Sequence, residues 1–150
     1  MEETVYEGSC SLPYVSGLFY LREGPFVVEA AKKLTVRPQL FCFDAHGAAH
    51  PRSAGLATVC GMILGIPSVG IAKSLLVGRV ASGEGDFARI VHGGRTVGFA
   101  VKMNGVTRYW SAGYSVGLAQ LKSVIRRHGS VCLLAMKASD AAAKQQVQAI

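Results

Sequence analysis

Acidic side chains are scarce in this chain: nine Asp and Glu stand against sixteen Lys and Arg in 150 residues. Any cation site therefore has few carboxylates to draw on. Long apolar runs are missing too. No stretch approaches the roughly 18 residues a membrane span requires, which excludes membrane crossing by a helix. The four cysteines, Cys10, Cys42, Cys60 and Cys132, are scattered and none forms a Cys-x-x-Cys pair. Structural zinc and thioredoxin-like chemistry are thereby excluded, and buried reduced thiols are expected. The opening Met1-Glu2-Glu3 lacks the basic and then apolar profile of a signal peptide, so a cytoplasmic protein is expected.

What is present is apolar in half of its residues, which suits one α/β domain over 1–150. The net charge of +7 is unevenly placed. Residues 1–77 hold six basic and six acidic residues, whereas residues 78–150 hold ten and three. A basic half fits a phosphate-rich partner, because each neutralised phosphate releases counterions, and it equally fits an ordinary basic surface.

Patterning predicts the elements. Thr4–Tyr6 reads as a small strand, and Gly24-Pro25 as the opening of a helix to about Leu34, with Val27, Ala30, Ala31 and Leu34 on one face. Leu40–Phe43 is an apolar strand ending at Asp44, followed by a helix from about Ser53 to Leu64. Gly65-Ile66-Pro67 breaks that helix before a second buried strand, Ser68–Ala72, ending at Lys73. Strand, helix, strand predicts a parallel pair, with its ligand site beyond the carboxyl ends of the strands, at Asp44 and Lys73.

Further along, Gly78–Asp86 reads as a mobile glycine-rich loop. Three strands, Ala88–Val91, Thr96–Met103 and Thr107–Ser111, are separated by Gly93-Gly94 and Asn104-Gly105, which predict an antiparallel meander with tight hairpins. Ser115 is placed to cap a helix to His128, with Leu118, Leu121 and Ile125 inward and Gly129 ending it. A short apolar run, Val131–Met136, and a last helix from about Ser139 complete the expectation.

Among the acidic residues, Glu2, Glu3 and Glu7 lie in an unpatterned segment, Glu29 on an outer helix face, and Glu84 and Asp86 in the glycine-rich loop. Glu23 and Asp44 stand where the chain is both apolar and punctuated. A carboxylate ending a buried strand is costly unless paired or metal-bound, and magnesium takes one or two such groups plus water and phosphate oxygens. The run Asp44-Ala45-His46-Gly47-Ala48-Ala49-His50-Pro51-Arg52 is the densest polar cluster. His46 and His50 have the i, i+4 spacing of a zinc-binding helix, but Gly47 and Pro51 oppose a helix and the protease glutamate is missing. Walker-type nucleotide binding fails because Lys73 does not directly follow Gly70.

A plain alternative stands beside each candidate. Asp44 fits a turn cap, Glu23 a charge favourable to a helix dipole, and His50 a loop histidine bonded to backbone. Lys73 fits an exposed strand-end lysine, and Tyr14 a core aromatic on a turn.

Pro13-Tyr14-Val15-Ser16-Gly17, Leu21-Arg22-Glu23, Asp44 through Arg52 and Gly70-Ile71-Ala72-Lys73-Ser74 occur in an order and spacing that resemble the endonuclease V family. Ser111-Ala112-Gly113 resembles a later region of it more weakly. The resemblance implies an RNase H-like mixed sheet with flanking helices. It further implies an endonuclease using Mg2+ or Mn2+ to nick DNA or RNA near deaminated purines, chiefly inosine. Glu23 and Asp44 match two metal-binding carboxylates, His50 a histidine near the scissile phosphate, and Lys73 an active-site lysine. Pro13, Tyr14, Val15 and Gly17 match a wedge beside the flipped base, where an inserted aromatic offsets part of the unstacking cost. The resemblance implies that His46 and Arg52 also contact nucleic acid.

The departures carry expectations of their own. The family begins with a strand whose aspartate completes the metal site, and Met1 falls after it, so the sheet is expected to lack its first two strands. The strand ending at Asp44 should then have an open edge, which the N-terminal segment, another subunit such as a second copy, or polypeptide lost from an incorrectly assigned start could cover. Ser16 replaces a proline, Gln39 an aspartate and Tyr114 a histidine, and the family's Pro-Glu-Pro-Thr-Arg ending has no clear counterpart. A binding remnant that does not cut, and a subunit borrowing a partner's carboxylate, are the alternatives to an active nuclease.

Overall fold

The computed structural model describes residues 2–148. Its elements in chain order are α1 (Phe19–Lys32), β1 (Phe41–Phe43), α2 (Leu56–Leu64), β2 (Ser68–Ala72), β3 (Arg79–Glu84), β4 (Phe87–His92), β5 (Arg95–Met103), β6 (Val106–Ala112) and α3 (Leu118–Gln148). The six strands form one sheet in the order β1-β2-β6-β5-β4-β3. β1 and β2 are parallel, with Phe41 opposite Ser68, and every other pairing is antiparallel. The strand before Asp44 is therefore an end strand of this sheet.

Strand alternation sorts the side chains into two layers. Val69, Ile71, Phe99, Val101, Trp110 and Ala112 meet Leu121, Ile125 and Cys132 of α3 in one core, with Cys42 packed against it. Phe43, Ala45, Leu56, Ala57, Cys60 and Val28 form a second core on the opposite face, under α1 and α2. Trp110 of β6, fully buried among the core residues that α3 covers, anchors the first layer. The expected Gly93-Gly94 and Asn104-Gly105 hairpins are present. All four residues have positive φ (57°, 75°, 51° and 79°), which matches the right-handed twist of the flanking strands.

Several expected elements are corrected. Thr4–Tyr6 is no strand. Its polar groups are taken up by α1 and the residue after it, with Thr4 donating to the Ala30 carbonyl at 2.8 Å and Lys33 donating to the Val5 carbonyl at 2.7 Å. α1 starts at Phe19 rather than at Gly24, and Pro25 lies inside it. The missing N–H costs one helical hydrogen bond, which packing against α2 offsets where Gly24 lets the Cys60 sulfur approach. α2 begins at Leu56, not Ser53, because Ser53 is left-handed (φ 54°). The loop itself then caps the helix, Ala57 N–H donating to the His46 carbonyl at 3.1 Å.

The glycine-rich segment is a strand for most of its length rather than a loop. β3 pairs with β4 through a bulge between Ala81 and Glu84, where a side chain at Gly83 would overlap the Phe87 carbonyl. From Leu118 to Gln148 the chain is one helix, not helix, strand, helix. Gly129 lies within it against Met103, and Val131–Met136 follow the helical period, with Cys132 buried while Val131 and Leu134 are exposed. Ser115 is not its cap. Gly117 and Gln120 fill that role, the Gly117 N–H donating to Gln120 Oε1 at 2.7 Å and the Leu121 N–H to the Gly117 carbonyl at 2.8 Å. Among the described residues no helix is long and apolar enough to cross a membrane.

Candidate functional site

The site is built where β1 and β2 end. Period two carries Cys42 and Asp44, and Val69, Ile71 and Lys73, toward the α3 side of the sheet. Lys73 Nζ lies 2.7 Å from Asp44 Oδ2 and 3.1 Å from Asp140 Oδ2. These two carboxylates hold the lysine pKa above its ordinary value, Asp44 contributing most. The ammonium is therefore a fixed positive charge at neutral pH.

The loop after Asp44 lies backbone to backbone on the sheet. A side chain at Gly47 would collide with the Ala112 carbonyl, and one at Gly70 with the Ala45 carbonyl. Gly47 N–H donates to Ser111 Oγ at 2.8 Å, and Ala48 N–H to the Ala112 carbonyl at 2.7 Å. Two glycines and a buried serine thus set the height of Asp44, His46 and His50 above the strand ends.

His50 is buried. Its Nδ1 accepts the Arg52 N–H at 3.2 Å, which assigns the proton to Nε2 and directs it to the Gly17 carbonyl. Arg52 donates to that same carbonyl at 2.9 Å. The bland expectation for His50, a loop histidine bonded to backbone, is thus part of its geometry. Together His50 and Arg52 hold the Tyr14 loop, which turns through Val15–Leu18 with Gly17 at φ 76°. Burial pushes the His50 and His46 pKa values down, helped by Arg52 at His50 and by His50 at His46. His46 Nδ1 is buried without a hydrogen-bond partner.

A cleft of about 280 Å³ brings together Tyr14, Gly17, Asp44, His46, His50 and Lys73, with Tyr20 of α1 on its wall. Tyr14 is 65% exposed, so it is no core aromatic. Pro13, Val15 and Glu23 do not line this cleft. Pro13 and Val15 are exposed on the same loop. Glu23 sits one helical turn beyond Tyr20, its carboxylate 3.6 Å from Arg22 Nε. Among the described residues no three or more His, Cys, Asp or Glu groups gather as a metal cage. The donor set fits a hard cation held by one or two carboxylates with water and phosphate oxygens filling the rest, and it does not fit structural zinc.

Asp140 has no motif around it and the sequence reading passes over it. The helical stripe Leu118, Leu121, Ile125, Cys132, Met136 carries on at the next step of four to Asp140, and that periodicity is the signal that finds it. On the far side of Lys73 a second hollow of about 110 Å³ is lined by Arg108, Lys137 and Asp140. Lys73 borders both spaces.

The sequence profile of the Endonuclease V family matches residues 1–130. An endonuclease V of Myxococcus xanthus is 46% identical over 93 residues, covering 60% of this chain and 40% of that protein. The solved endonuclease V of Bacillus subtilis superposes with a TM-score of 0.69 at 34% identity, over 76% of this chain and 52% of that one. That of Ciona intestinalis, solved with a 24mer DNA containing an inosine followed by a ribo-adenosine, gives a TM-score of 0.63 at 24% identity over 79% and 60% of the two chains, which supports the fold. The chain spans about half the length of the curated relatives it matches. The mixed sheet with helices on both faces is RNase H-like, as the likeness to these solved structures requires. From its matched length and its fold, this chain belongs to the endonuclease V family.

Proposed function

We propose that the chain is a metal-dependent endonuclease unit that nicks DNA or RNA near inosine. The observation that carries this reading is the Lys73–Asp44 pair at the strand ends, inside a cleft rimmed by the exposed Tyr14. The inosine-containing DNA held by the Ciona relative supports the choice of substrate. So does the run of basic residues bordering the second hollow, Lys73, Arg108 and Lys137, which suits a strand passing with its phosphates toward α3.

Asp44, with Glu23 one turn beyond the cleft wall, would hold Mg2+ or Mn2+, which would polarise phosphate oxygens and lower the pKa of bound water. The remaining work falls to the chain's own groups. Lys73 offers its ammonium to a phosphate oxygen and stabilises charge that develops there. His50 and Arg52 fix the loop so that Tyr14 can stack beside a displaced base.

Binding without cleavage is the second reading. It is supported by the engagement of Asp44 and Asp140 with the chain's own lysine and of Glu23 with Arg22. The deciding experiment incubates the chain with labelled inosine-containing and matched oligonucleotides in magnesium, manganese or EDTA. Nicking near inosine in manganese, weaker in magnesium and absent in EDTA, is expected. Binding of the inosine strand with no nick in either metal establishes the second reading instead.

A further inference from the structure

Cys42 and Cys132 are ninety residues apart in sequence, yet their sulfurs lie 2.7 Å apart as free thiols. The two come from different layers. Cys42 is the middle residue of β1, two before Asp44, and Cys132 is on α3, two helical turns before Asp140. Period two turns Cys42 toward α3, whereas its neighbours Phe41 and Phe43 face the opposite core. The expectation of buried reduced thiols holds for Cys60 and Cys132 and is corrected for Cys10 and Cys42, which are half-buried, so that Cys42 is within reach of a small oxidant.

We propose that Cys42 and Cys132 are a redox modification site, closing to a reversible disulfide that ties α3 to the strand leading into Asp44. A disulfide requires about 2.05 Å between sulfurs, so closure moves them by about 0.7 Å. Hydrogen peroxide is a sufficient oxidant. One sulfur attacks the peroxide oxygen, the O–O bond breaks, and a sulfenic acid and water form. The second thiol attacks that sulfur, the S–O bond breaks, and a second water leaves with its proton. Two thiols lose two electrons and the peroxide gains them.

The structural consequence follows from position. α3 lies on the core face only through its inward stripe, with Val131 and Leu134 both 65% exposed. A covalent tie at Cys132 holds the following turns, and with them Asp140, against the strand ends. The inference about Asp140 rests on the site reading above; the disulfide itself does not.

The test treats the full chain with stoichiometric hydrogen peroxide, alkylates the remaining thiols and maps cross-links by mass spectrometry, with hydrogen exchange recorded before and after. The expected result is one intrachain Cys42–Cys132 link reversed by dithiothreitol, with Cys10 and Cys60 still alkylated. Amide exchange over residues 133–144 should slow at least threefold. Cys42→Ser and Cys132→Ser should each abolish the link, whereas the Cys10→Ser, Cys60→Ser double variant should keep it. Four free thiols after oxidation, or links through Cys10 in preference, overturn the proposal. A link that leaves exchange over 133–144 unchanged overturns its consequence for Asp140. None of these readouts depends on nucleic-acid cleavage, so failure of the nuclease reading is registered separately.

Discussion

The ammonium of Lys73 is shared by Asp44, at 2.7 Å, and Asp140, at 3.1 Å, so a single cation joins the end of β1 to α3. The trio carries a net charge of −1. A phosphate entering the cleft competes for the lysine, and a divalent cation competes for the carboxylates.

That competition gives a test of metal placement. Lys73→Ala removes the internal cation and leaves Asp44 and Asp140 without it. Manganese affinity, measured by titration calorimetry, should rise several-fold while cleavage falls about 10- to 100-fold. Unchanged manganese affinity would mean that the ion does not use Asp44.

Asp44→Asn keeps the shape and removes the charge. Cleavage should drop by at least about 100-fold, with thermal stability nearly unchanged, because a largely exposed ion pair contributes roughly 0–1 kcal/mol. Cleavage that survives the substitution belongs to another site.

Phosphate grip and base sensing are separable contributions. Log affinity against log salt should fall with a slope of several units, and Tyr14→Ala should erase the preference for inosine strands while leaving that slope in place. A parallel loss of both would show that Tyr14 supports the fold of the loop rather than stacking on a base.

His46 and His50 make the fold acid-sensitive. Burial depresses both pKa values below the ordinary 6.5, so at low pH the unfolded chain takes up protons that the folded chain refuses. The contribution is complete above about pH 7 and is lost as pH falls through 6.5 toward the depressed values. Denaturant midpoints taken across this window should decline on acidification, and His50→Asn should flatten part of the decline. A midpoint that rises on acidification contradicts the assignment.

Gly47→Ala puts a methyl group into the Ala112 carbonyl and breaks the seating of the loop on β6. A loss of about 2 kcal/mol or more is expected by chemical denaturation, together with weaker cleavage. A neutral effect would show that the loop can lift from the sheet without cost.

The sequence alone determined the βαβ unit, the two hairpins and the residues that face the cleft from the Asp44 loop and the end of β2. Those features are local. Alternation, helical spacing and paired glycines or Asn-Gly act over a few residues, and the polar punctuation after apolar strands marks where they end. Only the tertiary structure decided the rest. Gly129 and Pro25 read as helix boundaries, yet packing against Met103 and α2 carries each helix through. A segment rich in glycine became β3 because β4 offered it an unpaired edge. The sulfurs of Cys42 and Cys132, and the carboxylate of Asp140 beside Lys73, meet across ninety and sixty-seven residues of chain. Helical spacing puts Asp140 on the inward face, but no local pattern records which groups it or Cys132 meets, because that depends on where a long helix crosses the sheet.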